Sequence, residues 1–202
     1  MKKKLTPKVY LRDGKPELIA YWKKYFHAFD VDVAQSDIME IKADAIVSPA
    51  NSFGFMDGGI DLQYRYKFGE KVEKLVQKNI DLHYYGELPV GQALSVPLKN
   101  QPFKYLIVAP TMRLPMSVDN TINPYLAFRA TLLKAKDLGL ESIACPGLGT
   151  GTGRACPEMV ARQMLIAYVN IVLQKSPVKM EDIARQMSWM LRCSQDVRPQ
   201  GV

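Results

Sequence analysis

Short apolar runs closed by turn residues alternate along this chain with longer stretches of helical period. Residues 8–12 (Lys-Val-Tyr-Leu-Arg) read as a strand stopped by Asp13-Gly14, and Pro16 opens a helix to about Ala28. That helix would bury Leu18, Ile19, Trp22, Tyr25 and Phe26. Residues 29–34 alternate as a strand, and the run Ala45-Ile46-Val47 reads as a buried one. One helix is predicted from Leu62 to Asn79 and another from Tyr125 to Leu138, stopped by Gly139. The strand Ser142 to Cys145 precedes a helix that begins near Pro157 and runs from Met159 to Gln174. Segment 180–194 is amphipathic, with Ile183, Met187, Met190 and Leu191 on one face, and is expected to dock on its own domain.

Composition narrows the class. A chain of 202 residues with 48% hydrophobic and 23% charged residues suits one α/β domain with a sizeable core. No apolar run is long enough to span a bilayer, and Met1-Lys2-Lys3-Lys4 is not followed by a signal-peptide core. Cys145, Cys156 and Cys193 form an odd set without CxxC spacing, from which free thiols and a reducing, cytoplasmic setting are expected. His27 and His83 join no acidic or cysteine cluster, so no metal and no cofactor are expected. The formal net charge of +7 admits an anionic partner. Its basic residues are dispersed: Lys2-Lys3-Lys4 at a solvated terminus, Lys23-Lys24, and Lys71, Lys74 and Lys78 on helix faces. Nucleic-acid binding therefore rests on charge alone.

Two strand ends carry the candidate chemistry. After Ala45-Ile46-Val47 comes Asn51, with one carbonyl acceptor and two N–H donors, then Gly58-Gly59 and Asp61. Glycines here let backbone amides approach an anion, although a tight turn alone would also ask for them. After Ser142–Cys145 comes a second such loop with Gly147, Gly149, Gly151 and Gly153. Neither loop has the spacing of a P-loop or a dinucleotide fingerprint. Asn51 could cap a turn or bind ribose hydroxyls, and Asp61 could cap the helix at Leu62, serve catalysis, or do both. Asp37 could close an Asx-turn, and Thr150 and Thr152 could be turn residues or phosphate donors. Asn120 and Asn123, before Pro124, read as the capping turn of the next helix.

Taken in order, these motifs resemble those of the macrodomain, the ADP-ribose-binding α/β/α module. Ser48-Pro49-Ala50-Asn51 and Asp57-Gly58-Gly59-Ile60-Asp61 are similar to its Asn-Ala-Ala-Asn and Gly-Gly-Gly-Val-Asp. Pro146-Gly147-Leu148-Gly149-Thr150-Gly151-Thr152-Gly153-Arg154 resembles its second loop. Ser36-Asp37-Ile38 resembles its Gly-Asp-Ile, and Gly91-Gln92-Ala93 with the strand Tyr105–Pro110 resembles the intervening region. The resemblance covers roughly residues 30–173 and implies a three-layer α/β/α sandwich with a mixed central sheet. No strand is read after Gln174, so residues 8–28 are expected to replace the family's usual last strand and helix. Residues 1–174 would then form the domain and 175–202 a helical extension packed on it. By position, Arg12 stands where the family often carries the aromatic that stacks on adenine. It could stack there or be a surface charge.

The resemblance also implies a site. ADP-ribose would contact Arg12, Asp37, Ile38, Asn51, Gly58, Gly59, Ile60, Gly147, Gly149, Thr150, Gly151, Thr152, Gly153 and Arg154, with Asn51 and Asp61 as the catalytic pair. The leading expectation is hydrolysis of ADP-ribose from modified proteins or of O-acyl-ADP-ribose. A reader without turnover and an ADP-ribose 1″-phosphate phosphatase are the alternatives. The second-loop aromatic of the family is replaced by Gly153, which favours the reader, whereas Asp61 favours the hydrolase. Arg65 and Gly153 stand where another branch uses Lys and Asp, so that mechanism is not supported.

Overall fold

A computed structural model of the chain describes residues 6–99 and 101–193. The lysines at positions 2–4 and the extension past Cys193, both read above from sequence, lie outside the described residues. In chain order the elements are β1 (Lys8–Asp13), α1 (Pro16–Phe26), β2 (Val31–Gln35), β3 (Ala45–Ser48), α2 (Gly59–Phe68), α3 (Lys71–Tyr84), β4 (Leu94–Pro97), β5 (Tyr105–Val108), α4 (Asn123–Asp137), β6 (Ser142–Cys145), α5 (Pro157–Ile171) and α6 (Met180–Met190). A short 3₁₀ turn, Ile38–Glu40, follows β2.

The strands form one six-stranded sheet in the order β2-β1-β6-β3-β5-β4. Every neighbouring pair runs parallel except β4 with β5 at one edge. Covered on both faces, such a sheet needs apolar side chains on both, and strands β3, β5 and β6 supply them almost without interruption. Val9, Leu11, Val47, Ile107 and Ile143 face a core built with Leu18 and Trp22 of α1, Phe128 of α4 and Met164 of α5. Ile46, Leu106, Val108 and Ala144 face the opposite core with Tyr64 of α2 and Val72, Val76 and Ile80 of α3. Alternation along each strand is what sorts them. The result is a mixed-sheet α/β/α sandwich. The strand read over 8–12 lies inside the sheet, flanked by β2 and β6, and among the described residues no strand follows β6.

Two expectations need correction. The helix predicted as continuous from Leu62 to Asn79 is two helices, because Gly69 adopts φ 90°, ψ 153°, which no helix accommodates. The first of them starts at Gly59 with Gly58 as N-cap, so Asp61 is a residue of the first turn rather than its cap. The premise of three free thiols also fails. Cys156 and Cys193 are joined in a disulfide, and Cys145 alone is free, buried at the end of β6. No helix among the described residues is long and apolar enough to cross a membrane.

The disulfide ties Cys156, just before α5, to Cys193, which lies past the end of α6 after Leu191-Arg192. Around it, Arg162 of α5 donates to the Trp189 carbonyl at 3.4 Å and lies 5.2 Å from the Trp189 ring centroid. Glu158, almost fully buried, accepts from Arg162 at 2.8 Å and from the Tyr25 hydroxyl of α1 at 2.6 Å. Protein purified without reductant and then unfolded should titrate as one thiol per chain, and a count of three would refute the bridge. Cys193→Ser should lower unfolding stability by roughly 2–4 kcal/mol in denaturant melts, through the lost constraint on the unfolded chain.

Candidate functional site

Five parallel strands point their carboxyl ends the same way, and α/β folds bind ligands at that edge. A cleft of about 190 Å³ opens there, across the ends of β1, β6, β3 and β5. One wall is the first glycine loop with Asn51, Asp57, Gly58, Gly59, Ile60 and Asp61. The facing wall is the second loop, Pro146 to Gly153, and Asp13 and Lys15 close one end. Phe55, Met112 and Pro115 make the other end apolar.

Glycine serves two distinct purposes in these loops. At Gly147 a Cβ would meet Leu18, Thr150 and Asp13 at 2.6–2.7 Å, and at Gly153 it would lie 2.4 Å from the Gly149 carbonyl oxygen. Those two are packing requirements, and the second explains why no aromatic side chain stands at 153. By contrast, a Cβ on Gly58, Gly59 or Gly151 would meet nothing within 4 Å. These three border open space inside the cleft, where an anion can lie against backbone.

The second loop is held from the N-terminal unit. Asp13 Oδ2 accepts from the Gly147 amide at 3.0 Å, and its Oδ1 accepts from the Lys15 amide at 2.9 Å. Lys15 Nζ donates to the Thr150 carbonyl, which brings an ammonium into the cleft wall.

Asp61 is 7% exposed. Its Oδ1 accepts a 2.6 Å hydrogen bond from the hydroxyl of Ser48, the last residue of β3. Burial raises the carboxyl from the ordinary value to about 7, and the Ser48 bond pulls the other way. Position in the first turn of α2 also favours the charged form. The acid is therefore poised near neutrality. Asn51, 8% exposed, is engaged with its own loop: Oδ1 accepts from the amides of Phe53 (3.0 Å) and Phe55 (3.3 Å), and Nδ2 donates to the Phe55 carbonyl at 2.8 Å.

Asn51, Asp61 and Gly58, Gly59, Ile60, Gly147, Gly149, Thr150, Gly151, Thr152 and Gly153 thus share one cleft. Four other sequence candidates are not part of its lining. Arg12 is turned to the Tyr10 face of β1, where Nη2 meets Asp32 Oδ1 at 2.8 Å and the guanidinium lies 5.6 Å from the Tyr10 ring centroid. Asp37 is exposed and caps the 3₁₀ turn through the Met39 amide at 2.9 Å, whereas Ile38 is core. Arg154 is exposed, with φ 51° at the close of the second loop. Asp13, Lys15, Phe55, Thr111, Met112 and Pro115 were not singled out by sequence. Thr111 and Met112 follow β5 after Ala109-Pro110, so their place near a strand end was legible, but nothing local marks Lys15.

Comparison with known proteins agrees with this geometry. Residues 47–164, more than half of the chain, match the family described as Macro domain. The chain belongs to that family. A protein of Aquifex aeolicus is 36% identical over 137 residues, covering 67% of this chain and 79% of its own. One from Aeropyrum pernix is 31% identical over 135 residues, covering 67% and 68%. Among solved structures, the macrodomain of Mycobacterium tuberculosis DarG superposes with TM-score 0.58 at 22% identity, over 69% of this chain and 90% of that one. A variant of the Oceanobacillus iheyensis macrodomain with ADPR gives 0.62 at 20%, over 77% and 90%. At these identities the likeness to solved structures is one of fold.

In this Macro domain the raised Asp61 carboxyl makes stability depend on pH. Its folded value of about 7 lies above the unfolded value of 3.8, so unfolding releases a proton between them. Stability conferred on the wild type therefore falls as pH rises from about 4 to 7 and is flat beyond. Asp61→Asn removes that penalty and keeps an acceptor for Ser48. The variant should melt higher than wild type at pH 8, by a margin of a few kcal/mol at most that shrinks toward zero near pH 4. A pH-independent difference in melting would contradict the raised carboxyl.

Proposed function

We propose that the cleft binds ADP-ribose and that the protein hydrolyses ADP-ribose from modified proteins or from its O-acyl esters. The observation that carries this reading is Asp61, a carboxyl held near neutral pKa in a glycine-walled cleft of a Macro domain. The diphosphate would lie against Gly58, Gly59 and Gly151, where backbone is bare, with Lys15 supplying a compensating charge. The distal ribose would then reach Asn51 and Asp61, whose carbonyl and carboxyl oxygens suit its hydroxyls. For a glycosidic linkage, Asp61 Oδ2 would accept a proton from a water attacking the anomeric carbon as the bond to the protein side chain breaks. A base with pKa close to the working pH is the efficient one for that step. For an ester, the same water would attack the acyl carbon.

Likeness of fold to the Oceanobacillus iheyensis macrodomain with ADPR and to one from Trypanosoma brucei in complex with ADP supports the ligand class. The reader without turnover is favoured by one feature: both polar atoms of the Asn51 amide are engaged within loop 51–55. Hydrolysis requires the free Nδ2 proton of Asn51, or a shift of that loop, to orient the ribose.

Three variants test the ligand and a release assay tests the chemistry. Gly151→Val puts a side chain into space that is open in the free protein, so it should fold within about 0.5 kcal/mol of wild type yet lose ADP-ribose binding by calorimetry. Normal affinity would put the diphosphate elsewhere. Lys15→Ala should weaken binding by about 1–3 kcal/mol through loss of a charge-assisted contact, whereas Asp37→Ala, also about 1–3 kcal/mol if Asp37 meets the adenine, decides whether an exposed cap takes part. In single-turnover release of ADP-ribose, Asp61→Ala should be slower by about 10²–10⁴-fold with affinity little changed. Equal rates would remove Asp61 from catalysis, and no release by wild type from any linkage would favour the reader.

A further inference from the structure

The Ser48 hydroxyl is almost fully buried, at 1% exposure, directly beneath the cleft. A hydroxyl in that position needs a partner, and its one proton is donated to Asp61 Oδ1 at 2.6 Å. Among the described residues Asp61 Oδ2 makes no hydrogen bond, and Asp61 lines the cleft. Three residues further along the same face of α2, the Tyr64 hydroxyl donates to the Val47 carbonyl at 3.1 Å. Consecutive residues of β3 thus hold an i, i+3 pair of α2, which fixes the helix in rotation as well as in distance. The carboxyl inherits that fixity.

We infer that Ser48 is a positioning residue for Asp61: it claims Oδ1, turns Oδ2 to the cleft, and stabilises the ionised form over the protonated one. The inference rests on the hydrolase reading only in supposing that Oδ2 is the reacting oxygen. Because a charged carboxylate oxygen is a stronger acceptor than the carbonyl oxygen of the protonated acid, the bond from the Ser48 hydroxyl strengthens when Asp61 ionises. It opposes burial, which acts in the other direction. The remaining charged or titratable groups around the site do not replace it. Tyr64 is the neighbour on α2 itself, and its phenol is pushed up by burial first and by Asp61 next. Cys145 of β6, Asp13 at the end of β1 and Asp37 beyond β2 add only negative influence on that phenol. Asp57 and Lys15 line the same cleft, and Arg65, one turn along α2, is paired with Glu73 of α3 at 3.2 Å.

A structural role alone would predict that Ser48→Ala lowers the melting temperature and nothing else. The positioning role predicts a moved titration. In protein carrying ¹³C-labelled aspartate, with Asp61→Asn to assign the resonance, the Asp61 carboxyl should titrate about one pH unit higher in Ser48→Ala than in wild type. Ser48→Thr, which keeps the hydroxyl, should restore the wild-type midpoint. The rising limb of single-turnover release against pH should move by the same amount. Should Ser48→Ala fail to fold, Ser48→Cys, with its weak S–H donor, carries the same comparison. An Asp61 midpoint identical in wild type and the hydroxyl-free variant overturns the inference. Wild type that titrates as stated but releases nothing would refute the hydrolase reading and leave the role of Ser48 standing, so the two failures are told apart.

Discussion

A single carboxylate at the end of β1 organises the ligand edge of this molecule. Asp13 holds the Gly147 amide with one oxygen and the Lys15 amide with the other, so the second glycine loop and the start of α1 are built on one anchor. Around Gly147 the packing leaves no room for a side chain, since Leu18, Thr150 and Asp13 all crowd the position. Lys15, fixed by that turn, closes back onto the Thr150 carbonyl. The cleft therefore has a stiff wall on the second-loop side. Its other wall is set by Ser48 and Asp61, where α2 meets β3. Both walls are fixed by short-chain acids, Asp13 bonded to the second loop and Asp61 to the end of β3, and the ligand space between them is preorganised at little entropic cost.

Much of this was legible in the sequence because it obeys local rules. β-Branched and apolar runs gave the strands, Pro16 and Pro157 marked helix starts, and paired glycines at two strand ends announced a cleft. What was not legible depended on three-dimensional neighbours. Gly69 broke a helix whose apolar period continues through it, and only its backbone angle shows why. Gly153 reads as an absent aromatic, but its surroundings make it a packing necessity instead. Arg12 sits one residue before Asp13, and the pleat sends one side chain to the flank of the sheet and the other to the cleft. A shift of a single position reverses such an assignment. Lys15 had no signal at all, since its importance comes from a loop 135 residues away in sequence.

The cysteines teach a related lesson. Spacing suggested no pairing because Cys156 and Cys193 are separated by 37 residues, with α5 and α6 between them. Pairing becomes evident only when α6 is seen lying along α5, with Trp189, Arg162, Tyr25 and Glu158 packed beside the bridge. Cys145 is of another kind: enclosed in the core, with its thiol pushed well above the ordinary value by burial, it behaves as a small apolar side chain.

The strand order also bears on how the chain assembles. β2 and β1 neighbour each other early in the sequence, and β3, β5 and β4 form a second group, but the two groups share no border. β6 is the wedge between them, paired with β1 on one side and β3 on the other. Until residues 142–145 are made and inserted, two partial sheets carry open inner edges, which are the surfaces most prone to pair wrongly. During synthesis the N-terminal unit must therefore wait from Gln35 to Ser142 for its partner strand, a long-range closure of the kind that slows folding. The same insertion carries the second glycine loop into place opposite the first. Completion of the sheet and creation of the binding cleft are, in this topology, one event.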